Sequence, residues 1–361
     1  MTSKLRVLVV EDSATVRQRL VEAIASDPDL EVVGEVGDGK AAVERCSAIR
    51  PDVVTTDRVL PVMTGVAATE HIMAYCPTPI LIVSASVNRG ELFQTYDALA
   101  AGAVDALEKP NGEHVDSEWD RRFVSAIKMA ARIRVITHPR ARLKLASRPA
   151  SPFEGTPSER HPSEKSLRAI AIGTSTGGPA ALRTLFQRLP ENFTHPILLV
   201  IHIGESFSSA LAEWLNAQSH LGVSYARDGE PLPPVGYGRV LMAPAGKHLV
   251  LRDGRLRLTG DPERHYCRPS VDTLFESVAA ELGASAGACL LTGMGRDGAQ
   301  GLLEVRRAGG RTLAQDEASS VIFGMPREAV LLQAAEQVLS LEGIADTLTR
   351  WTRPSATRGA P

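Results

Sequence analysis

The sequence has few cysteines. Its four, Cys46, Cys76, Cys267 and Cys289, show neither the paired spacing of a metal site nor a disulfide framework. This usage indicates a reducing compartment. The sequence also lacks a charged-then-apolar signal segment, and no apolar run approaches the roughly 20 residues that cross a bilayer. We therefore expect a cytoplasmic protein without membrane insertion.

An excess of one charge is also lacking, since the formal net charge is −2. This balance gives no reason to expect a polyanion as the main partner. No helix-turn-helix pattern with a basic second helix is found either, so we expect no nucleic-acid partner. What is present is 43% hydrophobic and 23% charged residues in a chain of 361, which suits two ordinary globular domains.

The first part of the chain alternates between short apolar runs and helical patterns. Five strands that alternate with five helices are typical of a doubly wound parallel sheet. In such sheets the functional residues lie beyond the carboxyl ends of the strands. The predicted strands are 5–10, 31–36, 52–56, 79–83 and 104–107, and the predicted helices are 13–24, 39–49, 65–75, 90–101 and 118–136.

Polar side chains stand at the ends of four of these strands, namely Glu11 with Asp12, then Asp57, Ser84 and Lys109. Clustered carboxylates repel one another unless a hard cation lies among them, and Mg²⁺ prefers oxygen ligands of this kind. A carboxylate beside the ion can accept a phosphoryl group, whose oxygens Lys109 and Ser84 would hold. Each residue alone is typical of a solvated loop, but the full set indicates a phosphoacceptor site.

Residues 4 to about 124 resemble the receiver domain of two-component response regulators. The resemblance implies a flavodoxin-like fold in which a sensor histidine kinase phosphorylates Asp57, with Mg²⁺ bound by Glu11, Asp12 and Asp57. The matching positions are the Glu11-Asp12 pair, Asp57 with Pro61 and Gly65 after it, Ser84-Ala85, and Lys109-Pro110.

The chain departs from the receiver pattern at two positions. Ala106 stands where many receivers carry an aromatic switch residue, and Thr64 replaces an acidic residue often found before the glycine. The resemblance therefore does not extend to the usual rotamer-coupled switch.

The segment 138–164 changes in character, since it contains five prolines and few apolar residues. Such a segment cannot bury enough surface to order itself, so we expect a flexible linker. A basic nucleic-acid arm is the alternative, but its basic residues are scattered and aromatics are nearly absent. We expect a receiver domain at 1–124 whose last helix runs to about 137, a second domain at 165–353, and a disordered tail at 354–361.

The stretch 167–179 reads as a buried strand that stops at Gly173 and a helix that opens at Gly178-Pro179. Ser175 is then placed on a sharp turn, with an exposed hydroxyl and backbone N–H groups nearby. This position suits a nucleophile. On this stretch alone, a phosphate-binding glycine loop or a plain tight turn is an equal alternative.

His202 follows the apolar run 196–201, and Asp297 follows the run 286–291 in a glycine-rich loop. If the strands are neighbours, these two side chains and Ser175 meet at one edge of a parallel sheet. A histidine can then take the serine proton while the aspartate orients the ring. The alternatives are a structural histidine and an aspartate that caps the next helix.

Two other histidines are rival bases. His248 lies in a predicted β-hairpin over 248–258, and His265 lies in a polar loop. The hairpin argues against His248 as the base, and in the polar loop a substrate contact or plain exposure of His265 is favoured over catalysis.

The part of the chain from about 165 to 353 resembles the catalytic domain of the chemotaxis response regulator protein-glutamate methylesterases. The resemblance implies that this domain has a doubly wound, mostly parallel α/β fold. The resemblance implies Ser175 as nucleophile, His202 as base and Asp297 as its orienter. It also implies the Met294 backbone N–H in the oxyanion hole and Thr176 as support for the histidine. Cys267 is a departure, since histidine is common there. The matching motifs are 173–178, His202, 243–248, 268–272, 291–298, 315–320 and 323–328.

The expected function is that of a phosphorylation-activated serine esterase without a cofactor for the ester reaction. Its substrates would be glutamate 5-methyl esters on the cytoplasmic helices of chemoreceptors, and family members often also deamidate glutamine. The alternative is a phosphorylation-controlled docking protein without catalysis, which the intact set of Ser175, His202 and Asp297 opposes.

Overall fold

The computed structural model describes residues 4–85, 88–110, 117–133 and 166–352. The predicted linker 138–164 and tail 354–361 lie outside these residues. Among the helices described, none combines the length and the apolar character needed to cross a membrane.

The first part of the chain forms the expected five-stranded parallel sheet. Its strand order is β2-β1-β3-β4-β5, with every pair parallel. Four of the intervening helices begin at a residue whose side chain accepts a hydrogen bond from a helix amide, and these caps are Ser13, Asp38, Thr64 and Asn88. The strands are β1 (Leu5–Val10), β2 (Leu30–Val36), β3 (Val53–Thr56), β4 (Ile80–Ser84) and β5 (Asp105–Glu108).

The helices of this part fall into two packed groups, the first with the fifth and the second to the fourth together, as in a doubly wound fold. They are α1 (Ala14–Ala25), α2 (Gly39–Ile49), α3 (Gly65–Tyr75), α4 (Arg89–Ala101) and α5 (Ser117–Ala130). The predicted extension of the last helix is wrong for residues 131–133, which follow α5 as a turn, and residues 134–136 lie outside the described part.

The second part forms a seven-stranded sheet with the order β14-β13-β12-β6-β7-β9-β8, again with every pair parallel. Its central strands are short and fully buried, as expected for a sheet covered on both faces. β6 ends one residue later than expected, at Thr174. The strands are β6 (Ala169–Thr174), β7 (Ile197–Ile201), β8 (Gly222–Tyr225), β9 (Arg239–Met242), β12 (Ala286–Leu290), β13 (Arg311–Gln315) and β14 (Gln337–Leu339).

The predicted β-hairpin is also present, as the antiparallel pair β10 (His248–Arg252) and β11 (Arg255–Thr259). The predicted fold class is therefore confirmed in both parts of the chain. The helices of this part are α6 (Gly178–Arg188), α7 (Leu211–Ala217), α8 (Val271–Leu282), α9 (Ala299–Arg307), α10 (Met325–Leu331) and α11 (Leu341–Trp351).

Helix α4 of the first part packs against α6 and α7 of the second. The rings of Tyr96 and Trp214 are both buried, with centroids 5.5 Å apart. The Trp214 indole N–H donates to Oδ1 of Asp97 at 3.0 Å, and the Tyr96 hydroxyl donates to the carbonyl of Phe207. This contact joins the hydrophobic cores of the two parts.

Candidate active site and phosphorylation site

Ser175 directly follows β6, and its backbone is fixed to the loop after β12. Its N–H donates to the carbonyl of Thr292 at 3.0 Å, and the Thr174 hydroxyl donates to the same carbonyl at 2.8 Å. Ser175 in turn accepts a hydrogen bond from the N–H of Gly178, at 2.7 Å, where α6 begins. The side chain is half-buried, so the turn presents a hydroxyl that is held in place and still accessible.

Two glycines allow this close approach. A Cβ atom on Gly293 would lie 2.7 Å from Cβ of Ser175, which is closer than side-chain packing permits. Gly177 has a φ of +79°, and a Cβ atom there would lie 2.6 Å from Val321. The small residues of both motifs are therefore required by the contact between the two loops.

His202 follows β7, and its N–H donates to the carbonyl of Thr174 at 3.0 Å. Its Nε2 atom lies 2.9 Å from Oδ2 of Asp297, which follows β12. The strands β12, β6 and β7 are neighbours in the sheet, which is the condition on which the predicted triad depended. The sheet thus brings Ser175, His202 and Asp297 to one edge.

Asp297 is buried against the start of α8. Its Oδ1 accepts hydrogen bonds from the Ser270 hydroxyl at 2.8 Å and the Asp272 N–H at 3.1 Å, and its Oδ2 accepts from the Val271 N–H at 2.7 Å. A helix N-terminus stabilises a carboxylate. The alternative that Asp297 only caps the next helix is therefore wrong, because its amide partners belong to α8 and not to α9.

The His202–Asp297 contact favours the ion pair. Burial disfavours the imidazolium, but hydrogen bonds with Asp297 and Cys267 outweigh it and raise the pKa of His202 to about 9. Burial likewise opposes the Asp297 carboxylate, yet the bond to His202 and those at the start of α8 lower the pKa of Asp297. In this arrangement the ring holds its proton firmly at neutral pH.

A cleft of about 440 Å³ opens along this edge, and Ser175, His202 and Met294 line it. Cys267 also lines the cleft, with its Sγ atom 3.8 Å from Nδ1 of His202. Thr176 lies on the same wall, and its carbonyl accepts a hydrogen bond from the Thr292 hydroxyl at 3.0 Å. The cysteine at this position therefore contacts the candidate base, which its sequence context did not reveal.

The receiver-like part forms another wall of this cleft. Leu99 at the end of α4 and Val104 and Asp105 at the start of β5 line the same space as Ser175. The site is thus closed on one side by residues that lie more than 60 positions upstream.

The rival histidines have other partners. Nδ1 of the buried His248 accepts a hydrogen bond from the Ser270 N–H at 3.1 Å, and its Nε2 lies 3.2 Å from the Pro262 carbonyl. His265 lies 3.1 Å from Oδ2 of the buried Asp272. The contacts of His248 fit a structural role, whereas His265 is joined to a buried carboxylate that its loop setting did not predict.

The predicted phosphoacceptor residues also come together. Carboxylate oxygens of Glu11, Asp12 and Asp57 lie within 4.8 Å of one another. Lys109 Nζ lies 2.6 Å from Oδ2 of Asp57 and 2.9 Å from Oε1 of Glu11, while the Ser84 hydroxyl donates to Oδ1 of Asp57 at 3.0 Å. All five side chains thus surround one point at the edge of the sheet.

The charges of this site are set by burial and by the lysine. Burial raises the pKa of Glu11 more than the contact with Lys109 lowers it. Burial also opposes the charge on Lys109, but its bonds to Asp57 and Glu11 keep its pKa above the ordinary value. Mg²⁺ prefers carboxylate oxygens as ligands, and Glu11, Asp12 and Asp57 supply them, with Glu11 fully buried. These three residues therefore fit the ion.

Both parts of the chain match known families. Residues 7–115 match the response regulator receiver domain, and residues 170–348 match the CheB methylesterase family. A protein-glutamate methylesterase/protein-glutamine glutaminase of Anaeromyxobacter dehalogenans is 42% identical over 349 residues, which cover 97% of each chain. The chain belongs to the CheB methylesterase family. The predicted family resemblance is therefore confirmed.

Two further proteins of this family are also similar in sequence to this chain. A protein-glutamate methylesterase/protein-glutamine glutaminase of Xanthomonas campestris is 40% identical over 96% of this chain and 97% of its own. The CheB methylesterase catalytic domain of Thermotoga maritima, known from a crystal structure, is 35% identical in sequence to this chain. The match covers 52% of this chain and 99% of the Thermotoga domain, with a TM-score of 0.48.

Arg58 is a residue of this CheB-family chain that the sequence did not single out. Its side chain is 4% exposed. Nε donates to the Ser84 hydroxyl at 2.7 Å, and Nη2 lies 2.8 Å from Oε2 of Glu91 on α4. Its third nitrogen, Nη1, is buried without a hydrogen-bond partner among the described residues. An arginine next to a loop aspartate usually signals a solvated surface, so no pattern pointed to this buried position.

Proposed function

We propose that this chain is a serine esterase that hydrolyses glutamate 5-methyl esters in a protein substrate and releases methanol. The observation that carries the proposal is the hydrogen-bonded His202–Asp297 pair beside Ser175, on three adjacent parallel strands. The names of the relatives, protein-glutamate methylesterase/protein-glutamine glutaminase, support this substrate and add glutamine deamidation, in which the same acyl chemistry acts on an amide instead of an ester.

In the proposed mechanism, Ser175 attacks the ester carbonyl while Nδ1 of His202 takes the serine proton. Nδ1 is assigned this role because Nε2 is bonded to Asp297, which stabilises the imidazolium that forms. Backbone N–H groups, including that of Met294, stabilise the oxyanion, and Thr176 supports the histidine. His202 then gives the proton to methanol as it leaves, and water hydrolyses the acyl-enzyme. No step requires a cofactor.

Phosphorylation of Asp57 by a sensor histidine kinase is the proposed control. Glu11, Asp12 and Asp57 would hold Mg²⁺, which neutralises charge on the phosphoryl group when bound. Lys109 and Ser84, which already contact Asp57, would hold phosphoryl oxygens.

Control of the esterase follows from the shared cleft. Leu99, Val104 and Asp105 line the same cleft as Ser175, so a receiver held in this arrangement would restrict access of a protein substrate to the nucleophile. Phosphorylation would favour an arrangement in which the receiver is displaced. The proposed substrates are the cytoplasmic helices of methyl-accepting chemoreceptors, which places the protein in the cytoplasm and in adaptation of bacterial chemotaxis or a related array.

The direct experiment measures methanol release from membranes that contain methylated chemoreceptors, with and without a small phosphodonor and Mg²⁺. We expect release by the wild-type chain and a rise in rate with phosphodonor that Asp57→Asn abolishes. No release under either condition would reject the methylesterase assignment, whereas release without any phosphodonor response would reject only the proposed control.

The alternative of a docking protein without catalysis is tested separately. A fluorophosphonate reacts with a serine only where a base activates it. Labelling of Ser175 that His202→Ala abolishes supports an esterase, and absence of labelling in the wild-type chain supports the docking role.

A further inference from the structure

The tip of one loop at the mouth of the cleft adopts an unfavourable backbone conformation. Arg264 and Cys267 pair across a two-residue turn, with N–H to carbonyl distances of 3.2 and 2.9 Å in the two directions. The two residues of the turn, His265 and Tyr266, have φ values of +53° and +62°. Such turns normally carry asparagine or glycine, because other side chains crowd the backbone at positive φ.

The turn is held by contacts of the two residues that precede Tyr266. His265 Nε2 lies 3.1 Å from Oδ2 of the buried Asp272, and Arg296 Nε donates to His265 Nδ1 at 3.3 Å. Arg264 bonds Glu276 on α8 at 2.6 Å. The surrounding structure therefore fixes the turn, and strain that is fixed in this way is characteristic of functional sites.

Tyr266 itself is 97% exposed. It lines the cleft together with Ser175, His202 and Met294, and Met294 is itself 43% exposed. A side chain that is 97% exposed makes almost no packing contact within the described residues, and a positive φ disfavours tyrosine. Neither packing nor backbone conformation therefore explains why a tyrosine occupies this position. An exposed aromatic ring on a rigid support is the kind of group that binds another protein, because it offers a large contact area with little loss of freedom.

We propose that Tyr266, together with Met294 on the same cleft, is the specificity contact that binds an apolar side chain of the protein substrate next to the reacting glutamate. The proposal rests on the proposed esterase function and names the part of the substrate that the cleft recognises. It predicts that the chain distinguishes a protein substrate from a small molecule that carries only the reacting group.

The test uses the full chain with Tyr266→Gly, since glycine suits a positive φ and the variant should fold. Tyr266→Phe keeps the ring, and Tyr237→Gly serves as a control, because Tyr237 is 67% exposed in a loop of the same part of the chain. For each variant, KM and kcat are measured for methanol release from methylated receptor membranes. The rate at which a small fluorophosphonate labels Ser175 is measured in parallel.

We expect Tyr266→Gly to raise KM for the receptor roughly tenfold, the effect of losing one good aromatic contact, with labelling of Ser175 unchanged. Tyr266→Phe and Tyr237→Gly should keep the wild-type KM. The proposal is overturned if Tyr266→Gly keeps the wild-type KM, or if labelling falls in step with receptor turnover. If the wild-type chain releases no methanol at all, the proposed function fails and not this contact alone.

Discussion

Nε2 of His202 bonds Oδ2 of Asp297 at 2.9 Å, and the opposite ring nitrogen, Nδ1, lies on the side of Cys267. The ring is therefore held so that only Nδ1 can exchange a proton with a group in the cleft. The hydrogen bonds with His202 and with groups at the start of α8 keep the Asp297 carboxylate ionised against the effect of burial, and thus strengthen this arrangement.

The pH dependence of the esterase should follow the protonation of His202. The base must be neutral to accept the serine proton, while the pKa of His202 is raised to about 9 by Asp297 and Cys267 against the effect of burial. The esterase kcat/KM should therefore rise with pH, about tenfold per unit well below the pKa, and level off near pH 9. A pH profile of kcat/KM between pH 6 and 10 checks this, and a plateau that begins near the ordinary histidine value of about 6.5 would contradict it.

Asp297→Asn should retain the fold and lose activity. An amide at this position no longer fixes the required tautomer, and comparable changes lower kcat about 10⁴-fold. The raised pKa of His202 should also return toward its ordinary value, because its ionic partner is gone. Measurement of kcat and a thermal melting curve checks both aspects, and a loss below tenfold in a folded variant would show that the aspartate does not orient the base.

Arg58→Ala should uncouple phosphorylation from the esterase. Arg58 connects Ser84, which bonds the phosphoacceptor, to Glu91 on α4, the helix that packs on the second part of the chain. We expect Asp57 to remain phosphorylated while activation by phosphodonor is lost, and stability to fall by about 1–3 kcal/mol because buried partners lose their bonds.

The measurement for Arg58 compares the rate of methanol release with and without phosphodonor, alongside the extent of phosphorylation. Arg58→Lys provides the matched control, since it keeps the charge but can satisfy fewer of the partners. Full activation in a phosphorylated Arg58→Ala chain would remove this residue from the coupling.

Removal of residues 1–150 should raise basal esterase activity. The truncation deletes Leu99, Val104 and Asp105 from the cleft and exposes the face that Tyr96 covers. A minor open population of up to about 10% implies a gain of about tenfold or more. Methanol release by the two forms at equal concentration checks this, and a truncated chain no more active than the full one would argue against occlusion.

The sequence alone predicted, to within about one residue, where the strands that carry Ser175, His202 and Asp297 end. In a parallel sheet every strand ends at the same edge, so Ser175, His202 and Asp297 could be expected there from the apolar runs that precede them. That β12, β6 and β7 are neighbours depends on how the connections cross the sheet, which local patterns do not determine.

Contacts between distant segments could not be predicted from the sequence, for a different reason. Tyr96 and Trp214 lie in helices whose apolar residues could equally have packed within their own part of the chain, so nothing distinguished them as an interface. Nothing in the local sequence pattern shows the contacts of Arg58 or Cys267, and only their three-dimensional neighbours give them a role.

The most direct test of the account is methanol release from methylated chemoreceptor membranes by the wild-type chain and by Ser175→Ala, both with phosphodonor present. Because Ser175 is proposed to form the acyl-enzyme, its removal should lower kcat by about 10⁴-fold or more while the protein remains folded. Near-normal methanol release by folded Ser175→Ala would contradict the assignment of Ser175 as the nucleophile.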